Sequence, residues 1–455
     1  MFKNEENLLS NLKAEYDTIE IPMQLDGAIW NGIQKPPAKH KLSHYVRLAG
    51  VSAAVLLLLL GVTARLSPVF ADYLMDVPIL KYIVKLVNYD QGLKAAVENN
   101  FIQNIGVSDE HGGIRFTVDS MIADESRVIV FYTLENNSQH KGLHMRDIEF
   151  TDENHQGVKA AFMYGFLPTE ADKVKIQDNI KMSFVPGTEI PSAVHLSFKL
   201  CENNSATDTE PQYLPYLWQV DIPIDKSKFE NLTQVYPVNK TIEIGGQKIT
   251  VDKTTISPTR ISVEVSYSED NTMRIFNFAN VKLVNEKGEV LSGLMNDMSG
   301  SFPSDNQLIM YFESNYFKAS QQLYLSFEDV RAVDKDKTFM VVDAHKEQLL
   351  QVPDQNVRLS EITGTGKETT INFLYEDTFS TDKMQYQCLS ISKIMDHAGK
   401  ELNITASGHS FAASHPLDKC YSITFENGGG YEEPLKLLLE DYPKRVEGTA
   451  TVQLK

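Results

Sequence analysis

Apolar residues fall along this chain in three rhythms, and each rhythm predicts a different kind of element. The first has no polar break at all. LAGVSAAVLLLLLGVTA, from Leu48 to Ala64, is seventeen residues without a charge, bracketed by Arg47 and Arg65. As a helix rising 1.5 Å per residue it reaches about 25 Å. That is close to the ~30 Å of a hydrocarbon core, and the flanking arginines can extend to the headgroups. A core helix of a soluble protein would show a polar face, and this run shows none. It predicts one transmembrane helix over residues 46–66.

The second rhythm repeats every three to four residues. In the N-terminal tail, Leu8, Leu12, Tyr16 and Ile19 fall at i, i+4, i+8 and i+11, with Leu9 widening the stripe. This spacing predicts a short amphipathic helix. Pro22 disfavours helix at Ile21, and a second short helix follows on Leu25, Ile29 and Ile33 with Trp30 alongside. Pro36 and Pro37 then form a stiff spacer toward the membrane. Helices this short are not stable alone in water, so their stripes call for a partner. A helix-in-groove docking segment for a cytoplasmic protein is one reading; a tail lying on the bilayer surface is the other. On the first reading residues 1–45 are the binding element, with Leu8, Leu12, Tyr16, Ile19, Leu25, Ile29 and Trp30 as its apolar anchors. Beyond the span, Leu74 and Val77 precede Pro78, and Leu80, Ile83, Val84 and Val87 share one face, predicting a membrane-proximal helical segment over residues 67–105.

The third rhythm is alternation, and it repeats along the rest of the chain. GIRFTVDSMIADESRVIVFYTLEN from Gly113, GQKITVDKTTISPTRISVEVSYSED from Gly246 and VRLSEITGTGKETTINFLYED from Val357 each read as strand, polar turn, strand. Each is followed by a strand leading to a turn: DIEFTDENHQG from Asp147, NVKLVNEKGEV from Asn280 and SISKIMDHAGKEL from Ser390. Then come AVHLSFKL, QLYLSFEDV and PLKLLLEDY, and a closing strand: WQVDIPI from Trp218, FMVVDA from Phe339 and ATVQLK from Ala450. The period, near 110–135 residues, is too long for a solenoid. It suits small β-sandwiches of about 100 residues. The fold expected is therefore mainly β: short cytoplasmic helices, one transmembrane helix, then three tandem immunoglobulin-like sandwiches outside, over residues 106–228, 229–350 and 351–455. Their joints fall near Lys226–Asn239 and Lys346–Asn356. The first unit carries an extra segment between Gly157 and Pro191, rich in Met and Phe, read as an insertion.

Charge gives the arrangement a direction. Four basic residues (Lys35, Lys39, Lys41, Arg47) lie just before the span, whereas after Arg65 the next is Lys81. The positive-inside rule then places the N-terminus in the cytoplasm and the body outside. The formal net charge of −18 falls on that body, because the tail is balanced. A surface so acidic opposes nucleic-acid binding. SPVFAD, following the run, spaces Val69 and Ala71 like a signal-peptidase site, which makes a cleaved signal the competing reading. The long, patterned segment before the run favours a retained anchor.

Candidate chemistry changes little. GTGKE at Gly364–Glu368 lacks the remaining residues of a phosphate loop and reads as a turn. DKDK at Asp334–Lys337 lacks the ligands of a calcium loop. The histidines form no HExxH pair; His111, His140, His144, His155 and His195 fall in the first external unit, and solvated loop positions are expected for most. Neighbouring carboxylates such as Glu432 and Glu433 read as acidic surface. Cys201, Cys388 and Cys420 include no CxxC pair. Three free, buried thiols or one Cys388–Cys420 bridge both satisfy the count. No catalytic, cofactor or metal-binding residues are expected.

The tail with IPMQLDGAI (Ile21–Ile29), the span, SPVFADYLMDVPIL (Ser67–Leu80) and NYDQGLKAAVENNF (Asn88–Phe101) resemble a family of bacillary membrane proteins. The ectodomain of that family is catalogued as a domain of unknown function, and its members are described as anti-sigma-factor-like. NKTIEIGGQKITVDKTTISPTRISVEV (Asn239–Val265) resembles the immunoglobulin-like domain that accompanies it. The resemblance implies a single-pass regulator of the cell membrane whose tail holds an extracytoplasmic-function sigma factor inactive, and whose outer domains answer to an envelope ligand or protease. The zinc-containing anti-sigma domain is absent, since residues 1–47 contain no cysteine, so any sigma contact falls to the two short helices. The competing expectation is a surface-anchored binding or adhesion protein.

Overall fold

The structure, a computed structural model, describes residues 78–165, 174–184, 187–202, 212–291, 293, 300–318, 320–376, 389–411 and 418–455. The tail and the apolar run lie outside these residues. No helix among the described residues is long and apolar enough to cross a membrane. What is described is mainly β, with antiparallel pairing throughout its six sheets.

Two helices come first, α1 (Pro78–Val87) and α2 (Gln91–Glu98). The first module follows: β1 (Gln103–His111), β2 (Ile114–Ala123), β3 (Arg127–Asn136), β4 (Leu143–Thr151), β5 (Ala160–Tyr164), β6 (Lys175–Phe184), β7 (Ala193–Glu202) and β8 (Gln212–Pro223). They form one sheet in the order β1-β2-β3-β6-β5 and another in the order β4-β7-β8. The inward residues of both sheets share one core, built around Phe116, Tyr132, Phe198 and Trp218. Gly112 and Gly113, with φ of +58° and +79°, make the two-residue turn between β1 and β2, where positive φ matches the strand twist and favours glycine.

β3 explains the place of the helices. Its run Val128–Tyr132 is buried at every position, where a strand with one wet face would alternate. Val128, Val130 and Tyr132 enter the core. Ile129 and Phe131 point the other way, with Ile122, and are covered by Ile83 and Val87 of α1 and Leu93 and Val97 of α2. Each helical pair is spaced i, i+4, which puts it on one face. Tyr82 adds a polar tie, donating its hydroxyl to Asp119 Oδ2 at 2.6 Å, an atom that also accepts from Thr133 Oγ1 at 2.7 Å. Asp119 sits where the β2–β3 register shifts.

The second module contributes β9 (Gln234–Ile244), β10 (Gln247–Ile256), β11 (Arg260–Tyr267), β12 (Met273–Asn285), β13 (Val290–Leu291), β14 (Gly300–Ser304), β15 (Gln307–Glu313) and β16 (Leu323–Asp334). The rest of the chain adds β17 (Phe339–Asp343), β18 (Gln348–Gln351), β19 (Val357–Gly364), β20 (Glu368–Glu376), β21 (Ser390–Met395), β22 (Glu401–Leu402), β23 (Ile404–Phe411), β24 (Asp418–Glu426), β25 (Leu435–Asp441) and β26 (Arg445–Gln453). The order β14-β15-β11-β10-β9 copies the first sheet of the first module strand for strand, and β19-β20-β24-β23 copies four of its five strands. The repeated order of elements is therefore a repeated topology. It also corrects one expectation: the segment between Gly157 and Pro191 is no insertion. It supplies β5 and β6, whose counterparts are β14–β15 and β23–β24.

A second correction concerns the closing strands. The sequence order predicts that Phe339 onward closes the second unit and Ala450 onward the third. The structure exchanges them. β17 pairs with β25, Val341 opposite Lys436, in the sheet β18-β17-β25-β21-β22. β26 returns to pair with β16, Leu325 opposite Val452, in the sheet β13-β12-β16-β26. The third module is thus inserted between two neighbouring strands of the second. Arg331 on β16 clamps the crossing with two bonds to Asp441 on β25, at 2.9 and 2.6 Å. Phe276 and Val333 of the second module pack into the core of the third.

Candidate functional site at the junction of α2 with the first two modules

The equivalent strand-to-strand turn recurs in all three modules. The backbone N–H of Asp124 donates to Arg127 O at 3.0 Å, that of Ser257 to Arg260 O at 2.9 Å, and that of Thr365 to Glu368 O at 2.9 Å. In the first two modules an arginine opens the strand after the turn. There the turns meet, and both arginines are buried, Arg127 completely.

Asp124 organises the contact from the first module. Its Oδ1 accepts from Ser126 N, Ser126 Oγ and Arg127 N at 2.9, 2.7 and 3.1 Å. Its Oδ2 reaches across to accept from Thr259 N and Thr259 Oγ1 at 2.8 and 2.5 Å. Arg127 returns the contact, donating Nε to Thr259 Oγ1 at 2.8 Å and a terminal nitrogen to the Thr259 carbonyl. Arg260 donates to Ser126 O at 3.1 Å and lies over the Tyr311 ring, 4.0 Å from its centroid. Arginine suits these positions because its planar fork can donate and stack at once.

Helix α2 enters the same network through its N-terminus. Asp90, in extended conformation, caps the helix by accepting from Leu93 N at 2.9 Å, satisfying a donor the first turn leaves open. Its other oxygen lies 3.5 Å from the Arg127 guanidinium. Glu313, at the end of β15 in the second module, accepts the Gln91 N–H. Gly92 permits this approach, since a Cβ there would stand 2.4 Å from the Ser314 nitrogen. Three buried carboxylates (Asp90, Asp124, Glu313) thus face two buried guanidiniums. The excess negative charge shows at Glu313. Burial, and then the neighbouring Asp90 charge, push its carboxyl up to about 7, against the opposing pull of the Gln91 N–H and Lys318.

The chemistry of this site is coupling. The helix pair that covers the first module is bonded through one network to the second. Neither arginine was marked by the sequence reading. The available signal was an arginine at the same place in two repeats, in DESR and SPTR. The predicted partner-binding residues Leu8, Leu12, Tyr16, Ile19, Leu25, Ile29 and Trp30 lie outside the described residues, as does the apolar run. Cys201 is a buried free thiol and Cys420 a half-buried one, while Cys388 lies outside the described residues. Of the five named histidines, His140 and His155 lie in loops, and the other three lie on strands. His144 is buried on β4, His195 lies on β7, and His111 ends β1, stacked on Tyr216.

Residues 41–136 match a domain of unknown function, DUF4179, and residues 233–350 match a family of unknown function, DUF5643. Asp90, Asp124 and Arg127 fall in the first segment, and Thr259, Arg260 and Glu313 in the second. Among solved structures, the conserved domain protein from Bacillus anthracis is similar at 12% identity and a TM-score of 0.34, over 55% of this chain and 84% of that one. No curated protein matches.

Proposed function

We propose that this chain is a single-pass membrane regulator of the anti-sigma-factor kind. Its cytoplasmic tail holds an extracytoplasmic-function sigma factor through the apolar anchors Leu8, Leu12, Tyr16, Ile19, Leu25, Ile29 and Trp30. The apolar run tethers it, and three immunoglobulin-like sandwiches outside receive an envelope signal. The sandwich reading is supported by pairs of antiparallel sheets that share a core, with the strand order of the first sheet repeated in whole or in part. The regulatory reading draws on the resemblance around the span and on the match of residues 41–136.

The observation that carries the proposal is the bonding of α2 to the second module. α1 begins fourteen residues after Ala64. A helix pair so close to the span in sequence, and bonded to the second module through Asp90, Arg127 and Glu313, gives an event on the outer modules a physical route toward the span.

The test is retention of a sigma factor by the full chain extracted in mild detergent, with wild type compared with Leu12→Asp/Ile29→Asp. The wild type retains the factor and the double variant loses it. A wild type that retains none, or a double variant that retains as much, refutes the reading. Protease added to intact cells removes the modules and spares the tail; the reverse pattern refutes the topology.

A further inference from the structure

Where β17 ends, its chain continues as Asp343-Ala344-His345-Lys346, opposite the approach to β25. Glu433, just before β25, turns its carboxylate into this corner. Its Oε1 accepts from the backbone nitrogens of Ala344 and His345 at 2.9 and 3.2 Å, and His345 Nδ1 lies 3.4 Å away. Its Oε2 is shut off from solvent and has no hydrogen-bond partner among the described residues. The side chain as a whole is only 13% exposed. A buried carboxylate oxygen left without a donor carries a substantial desolvation cost. The Asp343 carboxylate, 7% exposed, completes the corner, with one oxygen bound by the Lys346 ammonium at 2.7 Å. The His345 imidazole is held flat against Tyr431, ring centroids 5.5 Å apart.

We propose that Asp343, His345 and Glu433 bind a first-row divalent cation, zinc in the first instance, which ties β17 to the segment leading into β25. Their ligand atoms already lie within 4.8 Å of one another. Metal–ligand distances of about 2.0–2.2 Å place ligand pairs roughly 3–4 Å apart, so binding asks for a contraction of about 1 Å. One imidazole and two carboxylates suit zinc better than calcium, which prefers an all-oxygen shell. Lys346 now neutralises Asp343 in part, but its side chain is 70% exposed and free to swing out. The ammonium and the cation therefore compete for one carboxylate. No spacing motif announces the site, because Glu433 is 88 residues from His345 and arrives only by the pairing of an exchanged strand.

The experiment titrates zinc into the full, untagged chain in detergent, by calorimetry and by hydrogen exchange of the peptides covering residues 339–347 and 430–436. The expected result is one high-affinity equivalent with slowed exchange in those two peptides. His345→Ala and Glu433→Gln weaken it at least tenfold, and Lys346→Ala tightens it severalfold. Melting of each variant without zinc checks that it is folded. A variant that melts early is replaced by His345→Gln, which keeps size and polarity. Zinc uptake without local protection overturns the proposal. So does wild-type affinity in the His345 variant, or in Lys346→Ala.

Discussion

The Glu313→Gln substitution isolates one charge of the α2 junction without removing its shape. Glu313 is 5% exposed and its carboxyl is raised from 4.5 to about 7. Such a group holds a proton more tightly in the folded than in the unfolded chain. The stability it contributes is complete below about pH 4.5 and is lost as pH rises through about 7. At 1.36 kcal/mol per unit, the loss comes to somewhat over 3 kcal/mol, about three-hundredfold in a local opening equilibrium. Glutamine can still accept the Gln91 N–H but cannot ionise. Hydrogen exchange of the peptide spanning α2 reports the difference, with variant and wild type compared at each pH so that intrinsic rates cancel. At pH 4 the two exchange alike, whereas at pH 8 the variant is protected up to about three-hundredfold better. Equal protection at both pH values, or a less protected variant at pH 8, refutes the charge balance assigned to the junction.

Other perturbations read other parts of the structure. Arg127→Leu leaves Asp90 buried without its cation and the Thr259 carbonyl without a donor, at a cost of about 3–5 kcal/mol. Urea unfolding of the full chain then begins at the first two modules. Arg127→Lys does not rescue it, lacking the fork. Tyr82→Phe removes one half-buried bond to Asp119 while Thr133 still satisfies that oxygen, so α1 opens more readily by about 1 kcal/mol, as exchange of residues 78–87 will show. Ending the chain at Lys444 deletes β26 and raises exchange in β12 and β16, while β20 and β24 stay protected. Loss of protection in β20 and β24 instead would contradict the observed pairing.

Much of the fold was legible in the sequence because each strand pair carries its burial in its alternation. Ile261, Val263 and Val265 are all buried in the second core, and GTGKE proved to be the turn between β19 and β20. Val128, Val130 and Tyr132 alternate as a one-faced strand does, and the helical cover over Ile129 and Phe131 was not read from the pattern. KIQDNIKMSF was less clear, since Asp178 and Lys181 interrupt its apolar pattern, and the segment passed for an insertion although it forms β6 beside β3. Exchange of the closing strands left no local trace. FMVVDA and ATVQLK both read as ordinary strands, and only long-range pairing decides which sheet each completes. The junction was hidden for a related reason. A charged residue at the start of a strand reads as surface, and nothing local shows that a second module will bury Arg127 and Arg260.

The inserted position of the third module also sets an order of events during synthesis. Chains fold from the N-terminus as they emerge, at about 5–20 residues per second. β16 ends at Asp334, yet its partner β26 begins only at Arg445. One edge of the second module therefore waits roughly 5–20 seconds for the strand that covers it. An open edge is a template for pairing with another chain. β16 blunts that edge at its middle, where Asp329 takes a positive φ of 54° and the register with β26 shifts between Glu328 and Val330. The same Asp329 later accepts the backbone N–H of Gly448 at 3.0 Å, so the residue that guards the waiting edge becomes the one that receives the arriving strand.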